Sequence, residues 1–257
     1  MSRFLPESQY DKFADFYLEF VHREDPAQNP IVEAVVAMLG DVTRSEVCDL
    51  ACGEGFLSRF LTAKGARVTG IDLSAKLIEH ARHLSNGLLI DYAVDDAQRL
   101  ASLPSSLFDI VVCNMALMDI PGLKETYGAV NRILRDEGTF VFSVVHPCFE
   151  TPFNAENPAF ITDENGNFVA KRVARYGEEG KWFSDGDGMY GTLGSFHRKL
   201  STYLNTLVGA SFTIVEIVEP MLPPGEYGSI TDQWASMVPR FLIVKSTKVG
   251  CSSGWES

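Results

Sequence analysis

The sequence predicts a doubly wound α/β fold with a mostly parallel sheet. Short apolar runs alternate with helical segments of about 10–15 residues, the spacing expected of βαβ units covered on both faces. The first such run, "VCDLACGEGF" over residues 47–56, drops into a loop carrying Gly53 and Gly55 and resumes as a helix. Three further runs also end in polar residues, which a purely structural alternation does not require.

The elements follow in order. Residues 8–22 place Tyr10, Phe13, Tyr17 and Phe20 at helical spacing, with Ser8 available as a cap. After Pro30, residues Ile31, Val32, Val35, Met38 and Leu39 share one face and Gly40 ends the helix. Strands are expected at 46–50, 66–72, 87–94, 108–115 and 138–146. Between them, Phe56, Leu57, Phe60 and Leu61 mark one helix; Leu77, Ile78, Ala81 and Leu84 mark another, capped by Ser74. Pro121 opens a third with Leu123, Tyr127, Val130 and Leu134 in line. Residues 147–192 break the rhythm with prolines, glycines and scattered aromatics, and Asn165-Gly166 signals a hairpin. So long a stretch without clear helices reads as a functional insertion such as a lid. A helix over 195–209 follows, with Phe196, Leu200, Tyr203, Leu204, Leu207 and Val208 on one face, then strands at 212–219 and 240–246. The run 220–239 between them reads as a second mobile segment, and the tail 247–257 as frayed.

Composition narrows the function. The 257 residues carry a net charge of −12, and no basic stripe of the kind a nucleic-acid site needs is visible. The five cysteines are scattered without a CxxC pair, which argues against a zinc knuckle and fits a reducing, cytoplasmic setting. No run of about 18 apolar residues suggests a membrane span, and the first residues lack the apolar core of a signal peptide.

What does the glycine loop hold? In an open parallel sheet, ligands bind at the carboxyl ends of the strands where strand order reverses. Gly53 and Gly55 lie there, and the following helix points free N–H groups at the same spot. Alone, the loop is also compatible with a plain tight turn. Asp72, 17 residues after Gly55, emerges beside it and can accept the hydroxyls of a ribose, or merely approach the next helix cap. Asp95 and Asp96 end the third run, and Cys113-Asn114 the fourth. A row of polar strand ends suits a nucleoside. A dinucleotide would need a third glycine where Ser58 stands, and Asp49, inside the first strand, would repel its pyrophosphate. Asp49 suits a ligand with a cationic amine instead.

With those motifs in view, the chain resembles the class I S-adenosylmethionine-dependent methyltransferases, in particular the small-molecule branch that includes quinone-biosynthesis enzymes. "VCDLACGEG", "GIDLS", "VDDAQRL" and "FDIVVCNMALMDI" match the family's four motifs in order, and the resemblance covers roughly residues 8–146. It implies a seven-stranded Rossmann-like sheet and S-adenosylmethionine as cofactor, with S-adenosylhomocysteine as product. It also implies that Asp49 and the amides around Ala51, Cys52, Gly53 and Gly55 hold the methionine end. By the same likeness Asp72 holds the ribose, Leu73 packs on adenine, Asp96 with Ala97 takes the adenine amino group, Asn114 lines the site, and Tyr17 closes over the cofactor. Ala51 replaces the family's first loop glycine, and Asp95 replaces a glycine often found before the third motif's aspartate.

Methyl transfer from a sulfonium is a displacement, in which the enzyme chiefly positions a nucleophile and excludes water. Where the nucleophile must lose a proton, His146 at the end of the fifth strand is the candidate base, its alternative role being to order the turn into Pro147. His197 and Tyr190 are further candidates to face the pocket. The aromatics Trp182, Phe183, Tyr190, Tyr227 and Trp234 favour a small apolar or planar acceptor, unless they form a minicore of the insertion itself. The expected organisation is one domain over 1–257: helices in 1–44, a cofactor core in 45–146, a lid in 147–192, the rest of the core in 193–246 and a tail. The other classes left open are an NAD-dependent oxidoreductase and a non-catalytic S-adenosylmethionine-binding module.

Overall fold

The computed structural model describes residues 9–21, 30–149, 160–183, 189–223 and 225–250. A 3-10 turn over Gln9–Lys12 leads into α1 (Ala14–Val21), and α2 follows at Pro30–Leu39. Next come β1 (Glu46–Leu50), α3 (Phe56–Ala63), β2 (Arg67–Asp72), α4 (Ala75–Leu84), β3 (Ile90–Val94), β4 (Phe108–Asn114), α5 (Leu123–Ile133) and β5 (Leu134–Val145). The insertion holds β6 (Phe160–Thr162), β7 (Phe168–Lys171), β8 (Gly180–Trp182) and α6 (Met189–Leu193). The chain closes with β9 (Ser195–His197), α7 (Leu200–Gly209), β10 (Phe212–Val218), α8 (Ile230–Met237) and β11 (Phe241–Lys248).

Seven strands form one sheet in the order β10-β11-β5-β4-β1-β2-β3. The pairs within β1 to β5 are parallel, and β11 runs antiparallel to both β5 and β10. The expected seven-stranded doubly wound sheet is therefore present. After β3 the chain crosses back to lay β4 on the far side of β1, so a crevice opens above the carboxyl end of β1.

Strand parity sorts the core onto two faces. Phe140, Phe142 and Val144 of β5 pack with Tyr127, Val130 and Ile133 of α5 and with Tyr203 and Leu207 of α7. Val141, one residue out of phase, packs instead with Val35 and Leu39 of α2 and Leu61 of α3. In β1, Cys48 and Leu50 belong to the first face and Val47 to the second. Asp49 shares the parity of Val47, so it points toward the α2/α3 side.

Several boundaries differ from the sequence reading. The helix expected over 195–209 starts at Leu200, and Ser195–His197 forms a strand paired with Gly180–Trp182. Phe196 mimics helical spacing with Leu200, but tertiary pairing claims it. Leu134 begins β5 instead of ending α5; it pairs with Phe108, and the register then slips before Ile110 meets Thr139. The third strand starts at Ile90, leaving Leu89 93% exposed. The run 220–239, expected to be mobile, contains α8, capped where Ser229 Oγ accepts the Asp232 N–H at 3.0 Å. Its Trp234 is buried against Phe160 with Lys171 Nζ 3.7 Å above its ring, so this aromatic belongs to a minicore beneath the insertion's hairpin. That hairpin, β6–β7, turns at the expected Asn165-Gly166, with Gly166 at φ +83° and Asp163 Oδ1 accepting the Asn165 and Asn167 N–H groups. The Ser8 cap, the side chains of Phe20 and Tyr190, and residues 251–257 lie outside the described residues.

The glycine motif has an unexpected second purpose. Tyr92, on β3, lies under the loop, and a Cβ at Gly70 would sit 2.5 Å from its Cε1. A Cβ at Gly55 would sit 2.3 Å from its hydroxyl, at a residue already held at φ +80°. Two of the glycines thus clear space for a tyrosine of the protein itself. Overpacking of this kind costs about 1–3 kcal/mol. Gly70→Ala is therefore expected to lower the melting temperature by about 2–12 °C, with part of the loss recovered in the Gly70→Ala/Tyr92→Ala double variant. Additive losses in thermal denaturation would dismiss Tyr92 as the cause.

Candidate cofactor and acceptor site

The site assembles around the end of β1. Asp49 is 2% exposed, and Ser58 Oγ, from the first turns of α3, donates to its Oδ2 at 2.6 Å. No basic side chain among the described residues pairs with it. Burial, aided by the like charges of Asp72 and Glu54 and opposed by the Ser58 hydrogen bond, pushes the carboxyl up to about 7. Glu54 is also buried, but Arg59 holds it at 2.6 Å. Asp49 is the buried acid of this loop without a cation.

The loop above it winds through three left-handed residues, Ala51 (φ 56°), Gly53 (φ 57°) and Gly55 (φ 80°). Ala51 pays a steric penalty that a glycine would avoid. The Cys52 N–H is anchored to the Ile71 carbonyl at 2.9 Å, and its side chain packs toward Ile78, Ala81 and Tyr92. The Gly53 N–H donates to Asp72 Oδ2 at 2.9 Å, and the Ser74 N–H donates to Asp72 Oδ1 at 2.8 Å. Asp72 therefore ties the loop to the start of α4, and burial raises its pKa despite those two donors. Asp72 thus faces the loop and also approaches the cap of α4. Leu73 beside it is half-buried.

The N-terminal segment lies across this assembly. Ser74 Oγ caps α4 by accepting the Leu77 N–H, and donates in turn to Asp11 Oδ1 at 2.5 Å. Tyr17 lies over the loop: a Cβ on Gly53 would stand 3.3 Å from its hydroxyl. Gly53 is thus the loop residue whose missing side chain leaves room for the N-terminal helix.

At the neighbouring strand ends, the Asp95 N–H donates to the Asp72 carbonyl at 3.1 Å. Asp95 itself is buried, its two oxygens taken by the Asp96 N–H and by both donors of Ser102, so it builds the turn. Asp96 is half-buried, with Oδ1 accepting from Gln98 and Oδ2 unbonded among the described residues. Ala97 packs on the core below. Asn114 Oδ1 accepts from Ser143 Oγ at 2.6 Å, linking the tips of β4 and β5. The loop residues, Asp49, Asp72 and Tyr17 thus form one connected group, with Asp96, Ala97 and Asn114 along the same rim.

His146 sits differently. It is 1% exposed; its Nδ1 accepts the Cys148 N–H at 3.2 Å, and its Nε2 lies 2.7 Å from Glu219 Oε1. The accepting Nδ1 requires Nε2 to carry the proton and donate to Glu219. As placed, neither nitrogen offers a lone pair to an acceptor, so the structure does not support His146 as the base. The physical reason is that the turn at Pro147 brings the Cys148 amide back onto the ring. His197 is buried, with Nε2 3.0 Å from the Tyr176 carbonyl, and it lines the cleft beside β5, the placement expected of it.

At the end of β5 a partly open cleft lies between Met118 and Val145 on the core side and Trp182 and Phe196 of the insertion pair, with Pro147, Ser195, His197, Arg198 and Tyr203 completing it. Arg198 is buried and donates to the carbonyls of Leu117, Ile120 and Pro121 at 2.6–2.9 Å, holding the loop that follows β4. Phe183 is exposed and Tyr227 donates to the Pro223 carbonyl, so neither is a cleft wall. Ser58, Tyr92 and Arg198 were not legible as site residues in the sequence. Each acts through a neighbour brought by folding.

Comparison with known proteins agrees with this geometry. Residues 48–142 match the family described as a methyltransferase domain. A solved S-adenosylmethionine-dependent methyltransferase from Mesorhizobium loti superposes with a TM-score of 0.74 at 27% identity, covering 87% of this chain and 100% of that one. A ubiquinone biosynthesis O-methyltransferase from Aromatoleum aromaticum is 39% identical over 106 residues, 40% of this chain and 45% of that protein. An uncharacterized Haemophilus influenzae protein is 30% identical over 94% of this chain and 97% of its own length. The chain belongs to the class I S-adenosylmethionine-dependent methyltransferases and is an enzyme of that class, with S-adenosylmethionine as its cofactor. The residues suit that cofactor: a buried carboxyl lacking a cation matches a ligand ammonium, and a pyrophosphate would meet Asp49 and Asp72 with like charge.

An acid whose folded pKa lies above its unfolded value stabilises the fold below the unfolded value and loses that contribution as pH rises through the folded one. For Asp49 the window runs from about 4 to about 7. Asp49→Asn keeps the Ser58 hydrogen bond and removes the charge. Without cofactor, the variant is expected to melt about 4 °C or more above wild type at pH 8, with little difference at pH 4.5. Equal shifts at both pH values, by calorimetric scanning, would rule out ionisation of Asp49 as the cost.

Proposed function

We propose that this enzyme transfers the methyl group to an atom of a small molecule bound in the cleft between the tips of β4 and β5 and the insertion. One observation carries the reading: a cleft with apolar and aromatic walls, Met118, Val145, Trp182 and Phe196, opens beside the end of β5. In this reading the insertion 147–192 acts as the lid that shapes the acceptor pocket, and residues 1–257 work as one catalytic unit. The net charge of −12 supports a small acceptor over a nucleic acid. No helix among the described residues is long and apolar enough to cross a membrane.

The cofactor supplies an electrophilic methyl group when bound. The residues hold and orient it: Asp49 takes the ammonium, the loop Ala51–Gly55 lies over the rest of the methionine end, Asp72 takes the ribose and Asp96 the adenine amine. Tyr17 covers it, which excludes water from the reacting centre. The name of the Aromatoleum relative makes oxygen the first acceptor atom to try, although the similarity spans less than half of that protein.

Calorimetric titration tests the binding half. Micromolar binding of S-adenosylmethionine and S-adenosylhomocysteine is expected, weakened at least tenfold (about 1.4 kcal/mol) in Asp72→Ala, with no binding of NADH. Exclusive binding of NADH would replace the reading with an oxidoreductase. Tight cofactor binding without methyl transfer to any compound of a broad acceptor panel would favour a sensor.

A further inference from the structure

One buried acid near the cleft has no assigned work. Asp119 ends the 3-10 turn Leu117–Asp119 after β4, between Met118 and the backbone that Arg198 holds. Its Oδ1 is a buried oxygen with no hydrogen-bond partner among the described residues. An unbonded buried carboxylate oxygen is costly, so such a group calls for an explanation. Tyr127 and Trp234 also bury an unpaired polar atom, but inside the α5 core and the hairpin minicore, away from the strand tips. Asp119 instead follows the strand tips, next to the Met118 carbonyl, which accepts the Ser195 hydroxyl of β9 at 3.0 Å. Met118 and Ser195, on either side of it, both line the cleft.

We propose that Asp119 Oδ1 accepts the proton that a hydroxyl acceptor must lose when it attacks the methyl group. The inference rests on the methyltransferase reading of the cleft. In the step, the acceptor oxygen forms a bond to the methyl carbon as the carbon–sulfur bond breaks. The sulfur keeps that electron pair and becomes the neutral thioether of S-adenosylhomocysteine. The hydroxyl proton moves to Asp119, which leaves as a neutral carboxyl to be deprotonated by solvent. The role vacated by His146, whose two nitrogens are engaged, is thereby filled from the neighbouring strand tip.

The surroundings suit the exchange. Burial raises the Asp119 carboxyl to about 6, against the opposing effect of the Ser195 and Tyr10 hydroxyls and of the Arg198 and Lys181 charges. From the other packed elements, Cys113 on β4 and Tyr203 on α7 also face it. The carboxyl is thus ionised at neutral pH while remaining a stronger base than an exposed aspartate.

The test compares acceptors that differ in their need to lose a proton: catechol, the more acidic 4-nitrocatechol, and iodide, which has none. In wild type the rate with catechol should fall below about pH 6, while the rate with iodide should not. Asp119→Asn should slow catechol at least 100-fold, slow 4-nitrocatechol far less at pH 8, and leave iodide turnover and S-adenosylhomocysteine affinity within twofold. Independently of activity, the wild-type-minus-Asp119→Asn infrared difference spectrum should show a protonated-carboxyl band that titrates near pH 6. Equal losses with all three acceptors or no such band would overturn the proposal. So would a wild type that methylates iodide but neither phenol. Failure to bind S-adenosylhomocysteine at all would instead sink the methyltransferase reading beneath it.

Discussion

A carboxyl buried at the tip of the central strand, facing no cation of its own chain, is the constraint around which this site is organised. Asp49 lies where β1 meets both β2 and β4, so its surroundings are fixed by the middle of the sheet and cannot relax toward solvent. The protein answers it with the hydroxyl and backbone N–H of Ser58 on α3 and, among the described residues, sets no cation beside it. That is unfavourable for the empty fold and favourable for a ligand with an ammonium group, since binding supplies the missing opposite charge in a desolvated place. The rest of the cradle follows from holding a loop over that point. Asp72 gathers the Gly53 and Ser74 amides, and Ser74 passes the connection on to Asp11 of the N-terminal turn.

The N-terminal segment therefore does more than cover the rim. Through Asp11 it meets the cap of α4, through Tyr17 the glycine loop, and through Tyr10 the acid that follows β4. The cofactor side and the acceptor side of the crevice thus share one structural element. The acceptor side is further fixed by Arg198, whose guanidinium is spent on three backbone carbonyls of the same loop that carries Asp119.

His146 illustrates why a residue type at the right strand end is weak evidence for catalysis. His146 ends β5 at the rim, yet a proline-bearing turn folds an amide onto one nitrogen and Glu219, 73 residues later, takes the other. His197 was expected on a helix and lies on a two-stranded ribbon, which turns it to the cleft with its Nε2 beside the Tyr176 carbonyl. Hydrogen-bond partners at such separations leave no trace in local pattern.

The sequence by itself determined the parallel sheet, the glycine loop, the polar strand ends and the Asn165-Gly166 hairpin. Those features depend on periodicity, backbone conformation and turn chemistry, each written within a few neighbouring residues. Strand parity even made the direction of Asp49 derivable. Only the tertiary structure decided that Gly55 and Gly70 make way for Tyr92, that Trp234 serves a minicore, that His146 is occupied and that Asp119 has a bare oxygen. Each of those depends on which distant side chain arrives at a given point. Packing and hydrogen-bond satisfaction are properties of the assembled chain, and no local stretch of residues encodes them.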